Sequence, residues 1–362
     1  MKNIILLFSA LSFMLLSCSD DTGTNPPDTK EYNIPETYNF SNVDFSGQLT
    51  RMEMVGEMRL LIEEAIKNKT GISAGVLQSM FENQGRPFVK EELNDSDKNL
   101  YTKIDPTRQS FIESYFRDIN NASTTRQAAN NVKGILKTND GTQTFLVDSV
   151  GKEYLVMIED GMMGALFFYQ VAQVYTSEDK IGDNVDKTEV VEGIGTDMQH
   201  HWDEAFGYFG ATVDFPATKD NLSFLAKYCN DRDALLNTNE LLMKDGFIKG
   251  RAAINNDDSE GKLEAAANVR KNWELVLAST AIHYLNDAIA NFDETAIKHH
   301  DMTKAWILLW SIQFNPESNG FFYEDALAKI GTNYWNTPKE NLMEAIEIIS
   351  NAYGLGEVKD AL

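Results

Sequence analysis

From Leu49 to the C-terminus, apolar residues recur at steps of three and four, and runs alternating every second residue are nearly absent. That spacing puts the apolar side chains on one face of a helix, so they can be buried only by packing helix against helix. In the segment 49–69 the stripe is Met52, Val55, Met58, Ile62 and Ile66, stopped at Thr70-Gly71. Asp105-Pro106 opens a second helix in an N-cap and N1 pattern, with Phe111, Ile112, Tyr115, Phe116 and Ile119 on its apolar side. A third is expected from Ser123 to Leu136, before Asn139-Asp140-Gly141 breaks the chain. The segment 148–175 reads as one long helix rich in Met, Phe and Tyr, and 179–184 as a polar connector. Further helices are expected over 193–209, 222–230, 233–249, 257–290, 295–312, 323–330 and 338–353. Only Thr142 to Val147 and Ala211 to Phe215 hint at strand. The expected fold is all-α: antiparallel helical bundles in two halves, residues 38–180 and 181–362, without a fixed-period repeat.

The chain begins differently. Lys2 precedes a short apolar run from Ile4 to Leu16, closed by Leu15-Leu16-Ser17-Cys18. The run is too short to span a bilayer, and it ends in a small residue before a cysteine. The pattern resembles a bacterial lipoprotein signal, which implies removal of residues 1–17 and lipidation of Cys18. Ser19-Asp20-Asp21 looks like the surface-export signal of some Gram-negative outer-membrane lipoproteins. Residues 18–37, with Pro26, Pro27 and Pro35, then form a flexible tether. The expected location is the outer membrane, lipid-anchored and exposed at the cell surface.

Charge narrows the partners. With 32 basic and 55 acidic residues the formal net charge is −23, and loss of the signal removes one further lysine and no acid. Nucleic acid is excluded as a partner, because phosphate contacts need clustered Lys and Arg. Anionic lipid surfaces are disfavoured for the same reason, leaving the acyl chain as the membrane contact. Cys18 taken by lipid leaves Cys229 alone, so no intramolecular disulfide forms. Cys229 lies in an apolar helical stretch and reads as a buried, inert thiol.

Four of the five histidines come as adjacent pairs. In the segment 195–210, His201 and Glu204 are three apart and share a helix face, and His200 and Glu204 are four apart. Asp203 lies three beyond His200. The segment therefore offers up to two imidazoles and two carboxylates within one and a half turns, a donor set suited to iron or zinc. A plain hydrogen-bonding role inside a bundle suits the same spacing. The remaining ligands would come from other helices. Zinc-peptidase signatures are absent: there is no His-Glu-x-x-His, and Ala205 stands where the inverted motif needs histidine.

His201-x-x-Glu204, with Gly195 before it and Gly207 and Gly210 after it, resembles the Gly-x-His-x-x-Glu motif of imelysin-like proteins. Gln199 stands where that motif has its glycine. The resemblance implies an exported all-α protein of two bundle domains linked to iron or haem uptake. It carries His201 and Glu204 over as metal or ligand contacts, with His200 and Asp203 as secondary ones. Two other roles stay open: a metal-dependent hydrolase with Glu204 as general base, and a non-catalytic envelope scaffold.

The other candidates read as structural. His299-His300-Asp301 is expected at a solvated helix start, the two rings about 100° apart, either of them free to add a ligand to the His201 face. His283 faces Asp287 as a satisfied rim or core histidine, and the Met- and aromatic-rich run 157–175 reads as core. Asn256-Asp257-Asp258 lacks the glycine and terminal glutamate of a calcium loop and reads as a polar turn with an N-cap.

Overall fold

A computed structural model describes residues 31–318 and 320–362. The signal, Cys18 and the tether up to residue 30 lie outside the described residues. The helices in chain order are α1 (Ser46–Asn68), α2 (Ala74–Glu82), α3 (Glu91–Asp95), α4 (Gln109–Ile119), α5 (Tyr154–Met162), α6 (Glu178–Ile181) and α7 (Asp197–Gly207). They continue with α8 (Phe224–Leu236), α9 (Lys249–Asn255), α10 (Ser259–Ala290), α11 (Thr295–Ser311), α12 (Phe322–Ile330) and α13 (Lys339–Tyr353). The protein is all-α apart from one two-stranded hairpin, β1 (Gly134–Lys137) and β2 (Thr144–Val147).

That hairpin corrects the helix expected over Ser123 to Leu136. Asn131 takes a left-handed backbone (φ 64°) that a helix interior does not accommodate. Ile135 and Leu136 pair instead with Leu146 and Phe145, which buries all four side chains. Residues 211–215 form turns rather than a strand. Helices α2 and α3, and α6 at the expected connector 179–184, fall where no helix was expected; at nine, five and four residues they are too short for periodicity to separate from background.

The long helix expected over 148–175 starts at Tyr154, and α5 runs on into π-helical turns at Met163–Phe168 and Gln170–Tyr175. A third π-helical segment, Glu240–Ile248, leads into α9. Wider i→i+5 turns of this kind concentrate near functional sites. Gln170 and Gln173 donate to the carbonyls of Lys103 (2.6 Å) and Phe314 (3.0 Å), so the polar interruptions of the run serve tertiary contacts. Tyr154–Tyr175 has the length and hydropathy of a membrane span, yet 83% of its most apolar window is buried. It is a core helix here.

Residues 33–362 form one compact unit. A single hydrophobic cluster takes in side chains from Tyr38 to Leu362, so the two expected halves share a core across position 180. Its centre is α10, packed against α8, α9, α11 and α13. The short connection 291–294 folds α11 back along α10. The body starts at Tyr38, whose backbone N–H donates to Val213 O and whose ring stacks on Phe206. Cys229 is buried, its thiol pushed up by burial, as an inert core thiol requires. Asp258 caps α10 by accepting from the Gly261 N–H, which makes 256–258 a turn and N-cap.

Candidate functional site

Helix α7 opens with a reciprocal cap. Thr196 accepts from the Gln199 N–H while the Gln199 side chain accepts from the Thr196 N–H. Gln199 is therefore the third helical residue of a capping box. Further along, a Cβ on Gly207 would lie 2.6 Å from the Phe45 Cβ and 2.9 Å from the Gln48 Cβ. The missing side chain lets α1 approach α7 closely and brings Gln48 to Glu204.

The four α7 candidates point to three different surroundings. His201 turns to α6: its Nδ1 is 2.9 Å from Lys180 O and so carries the proton, and its Nε2 is 3.3 Å from Lys180 Nζ. Burial and the Lys180 ammonium hold its pKa below the usual histidine value, against the Lys180 carbonyl and Glu204. Glu204 accepts from Gln48 Nε2 (2.9 Å) and from the Tyr175 hydroxyl (3.0 Å). Asp203 is fully buried and accepts from Arg251 Nε (2.8 Å) and the Tyr38 hydroxyl (2.7 Å). Burial pushes Asp203 up to about 6 despite Arg251 and Tyr38. This pair ties the first residues of the body to α7 and α9. His200 is half-buried, and its Nδ1 makes no hydrogen bond. No hydrogen bond joins His201 to Glu204.

A larger feature lies between α1, α5, α8, α11 and the hairpin: a cleft of about 1040 Å³. Leu49, Met52 and Ile66 of α1 face Leu155 and Val156 of α5 across it, with Phe145, Phe224 and Tyr284 adding aromatic surface. At its inner wall Glu153, Asp160 and Tyr228 are buried and paired, while Glu53, Arg59, Lys67 and Lys227 stand exposed at its mouth. Lys304 Nζ donates to Asp160 (2.7 Å) and to the Tyr228 hydroxyl (3.2 Å). Burial opposes that ammonium, but Asp160 and the two tyrosines Tyr228 and Tyr284 hold its pKa above the usual lysine value. Glu159 is pushed up to about 7 by burial and by Asp160, against Lys304 and Arg59. His300 Nδ1 lies 2.6 Å from Glu153 Oε2 while Phe145 stacks on the ring at 4.8 Å. Burial disfavours the imidazolium, but Glu153 outweighs it and raises the His300 pKa.

The second histidine pair is thus not at a solvated helix start. His299 is fully buried between Trp335 and Gly151, where a Cβ on Gly151 would sit 2.4 Å from the ring, and burial pushes it down to about 3. The two rings do point apart, but His300 lines the cleft and does not join the His201 group. His283 stands at the rim, 3.4 Å from Asp287. Glu153, Glu159, Asp160 and Tyr228 carried no sequence signal: they lie at the start of α5, within α5 and on α8, and only packing brings them to His300 and Lys304. The pair His299-His300 was the trace of this site in the sequence.

A large concave site with a few convergent polar groups and perturbed pKa values is the default place for a ligand. No curated protein and no solved structure matches the chain. One family model matches residues 35–355, nearly the whole described body including both α7 and the cleft. The chain belongs to that family, the domain of unknown function DUF4856.

Proposed function

We propose that this protein is an outer-membrane lipoprotein, anchored through Cys18 at the cell surface, that captures a metal-bearing organic ligand such as haem or a ferric chelate for uptake. The kinship proposed is with imelysin-like proteins. The observation that carries the reading is the Glu153–His300 pair in the wall of the 1040 Å³ cleft. A carboxylate on one ring nitrogen fixes the tautomer and leaves the other nitrogen as a metal donor. Among the described residues no three His, Cys, Asp or Glu are grouped as a bare cation would need. A ligand that brings its own metal and ring donors asks for only one imidazole. The aliphatic and aromatic walls suit an organic body, and Lys67 and Lys227 at the cleft suit its acidic groups. At α7 the donor chemistry fits a metal less well, because Lys180 occupies both sides of the His201 ring.

Titration of haemin into the full mature chain, followed by visible absorption, tests this. Binding is expected, with His300→Ala losing at least about tenfold in affinity, about 1.4 kcal/mol, and His201→Ala retaining it. No spectral change in the wild type, or an unchanged His300→Ala titration, overturns the reading. Zinc in protein purified without chelator would instead favour the hydrolase, and neither metal nor haem the scaffold. The anchor is tested separately: Cys18→Ala should release the protein from the membrane fraction, and full retention of that variant contradicts lipidation.

A further inference from the structure

The surroundings of Glu204 reverse the charge balance of the whole chain. In a protein of net charge −23, this one carboxylate stands among Arg51 of α1, Lys103 before α4, Lys180 of α6 and the His201 ring. Arg51 is buried, at 6% exposure, and its hydrogen bonds go to the carbonyls of Asn99 (3.0 Å) and Gly47 (3.0 Å), not to a carboxylate. Lys103 Nζ lies 3.3 Å from the Tyr175 hydroxyl, which itself donates to Glu204. Burial lowers the Lys103 pKa, Arg51, Lys180 and Lys98 lower it further, and Glu204 alone opposes them. The Tyr208 hydroxyl is fully buried with its oxygen toward the Arg51 guanidinium, Glu204 is in electrostatic reach, and no acceptor takes its own proton. Lys103, Lys180, His201 and Glu204 are each half-buried, so the group keeps a partly exposed side.

Three cations against one carboxylate, with a buried donor left over, are short of negative charge and of acceptors. A metal cation would be repelled by all three; an oxyanion would relieve them and take the spare donor. We propose that Arg51, Lys103 and Lys180, with the Tyr208 hydroxyl, form a binding site for a carboxylate or phosphate group beside His201. The site is separate from the cleft and does not depend on the ligand proposed there.

The full mature chain is titrated with inorganic phosphate and, separately, with citrate, following binding by calorimetry and the His201 ring by NMR. The His201 signal is assigned by its loss in His201→Gln. Anion binding is expected to raise the His201 pKa, and Lys103→Gln/Lys180→Gln to weaken binding at least about tenfold. Glu204→Gln removes the competing carboxylate and should tighten anion binding several-fold, whereas a metal site would be weakened by it. Should the double variant fail to fold by far-UV circular dichroism, the Glu204→Gln titration still decides. A response to phosphate identifies a small inorganic anion as sufficient; a response to citrate alone identifies a polycarboxylate. An unmoved His201 titration with both anions, an equal response in the double variant, or weaker binding by Glu204→Gln overturns the proposal.

Discussion

Two pairs of adjacent histidines, His200–His201 on α7 and His299–His300 on α11, look alike in sequence and differ in every surrounding. In the first pair both rings stay half-buried, and His201 is held by the lysine of a neighbouring short helix. In the second, one ring is sealed in the core and the other is paired with a carboxylate in the wall of a cleft. A helix turns adjacent side chains about 100° apart, so each pair samples two environments. Packing then decides which of them holds a lysine, a glutamate or nothing. A histidine pair read from sequence is therefore two separate questions.

The largest effect should come from the ion pair beneath the first histidines. Arg251→Met leaves Asp203 buried and unpaired, and is expected to cost about 3–5 kcal/mol in denaturant unfolding. A loss under about 1 kcal/mol would mean that α7 is not anchored through this pair and that the contrast with α11 is overstated.

Next comes pH. The folded-state pKa of His299 is depressed to about 3, so its contribution to stability is present above the unfolded value near 6.5 and is lost as pH falls toward 3. Glu159 is raised to about 7, so its contribution is present below the unfolded value near 4.5 and is lost as pH rises through 7. Wild-type stability should fall on both flanks. His299→Gln should flatten the acid flank alone, and Glu159→Gln the neutral flank alone. An acid flank unchanged in His299→Gln would show that this ring is not buried in the neutral form.

The smallest effect belongs to the fifth histidine. His283 pairs with Asp287 across one turn at partly exposed positions, and His283→Ala should shift stability by less than about 1 kcal/mol. A larger loss would place this rim pair with the buried ones.

The fold class was legible because helical periodicity is a local property: α1, α10, α11 and α13 carry stripes long enough to stand above chance. The hairpin was not, since residues 134–137 acquire their conformation from pairing with β2. At α7 the residues of the motif were legible and their partners were not. Gln48, Arg51, Lys103, Tyr175 and Lys180 come from four separate stretches, and nothing local distinguishes Lys103 or Lys180 from other surface lysines. The cleft was least legible, its acids, tyrosine and lysine being spread from α5 to α11.

By itself the sequence determined that this chain is helical, acidic, and equipped with one face-sharing histidine and glutamate. These follow from composition and from spacing within a single helix, where the backbone geometry is fixed in advance. Only the tertiary structure decided that Asp203 pairs with Arg251, that His201 meets a lysine, and that His300 rather than His299 faces a cavity. Those outcomes depend on which helices pack together, through contacts between residues as far apart in the chain as Glu153 and His300, and no local pattern encodes them.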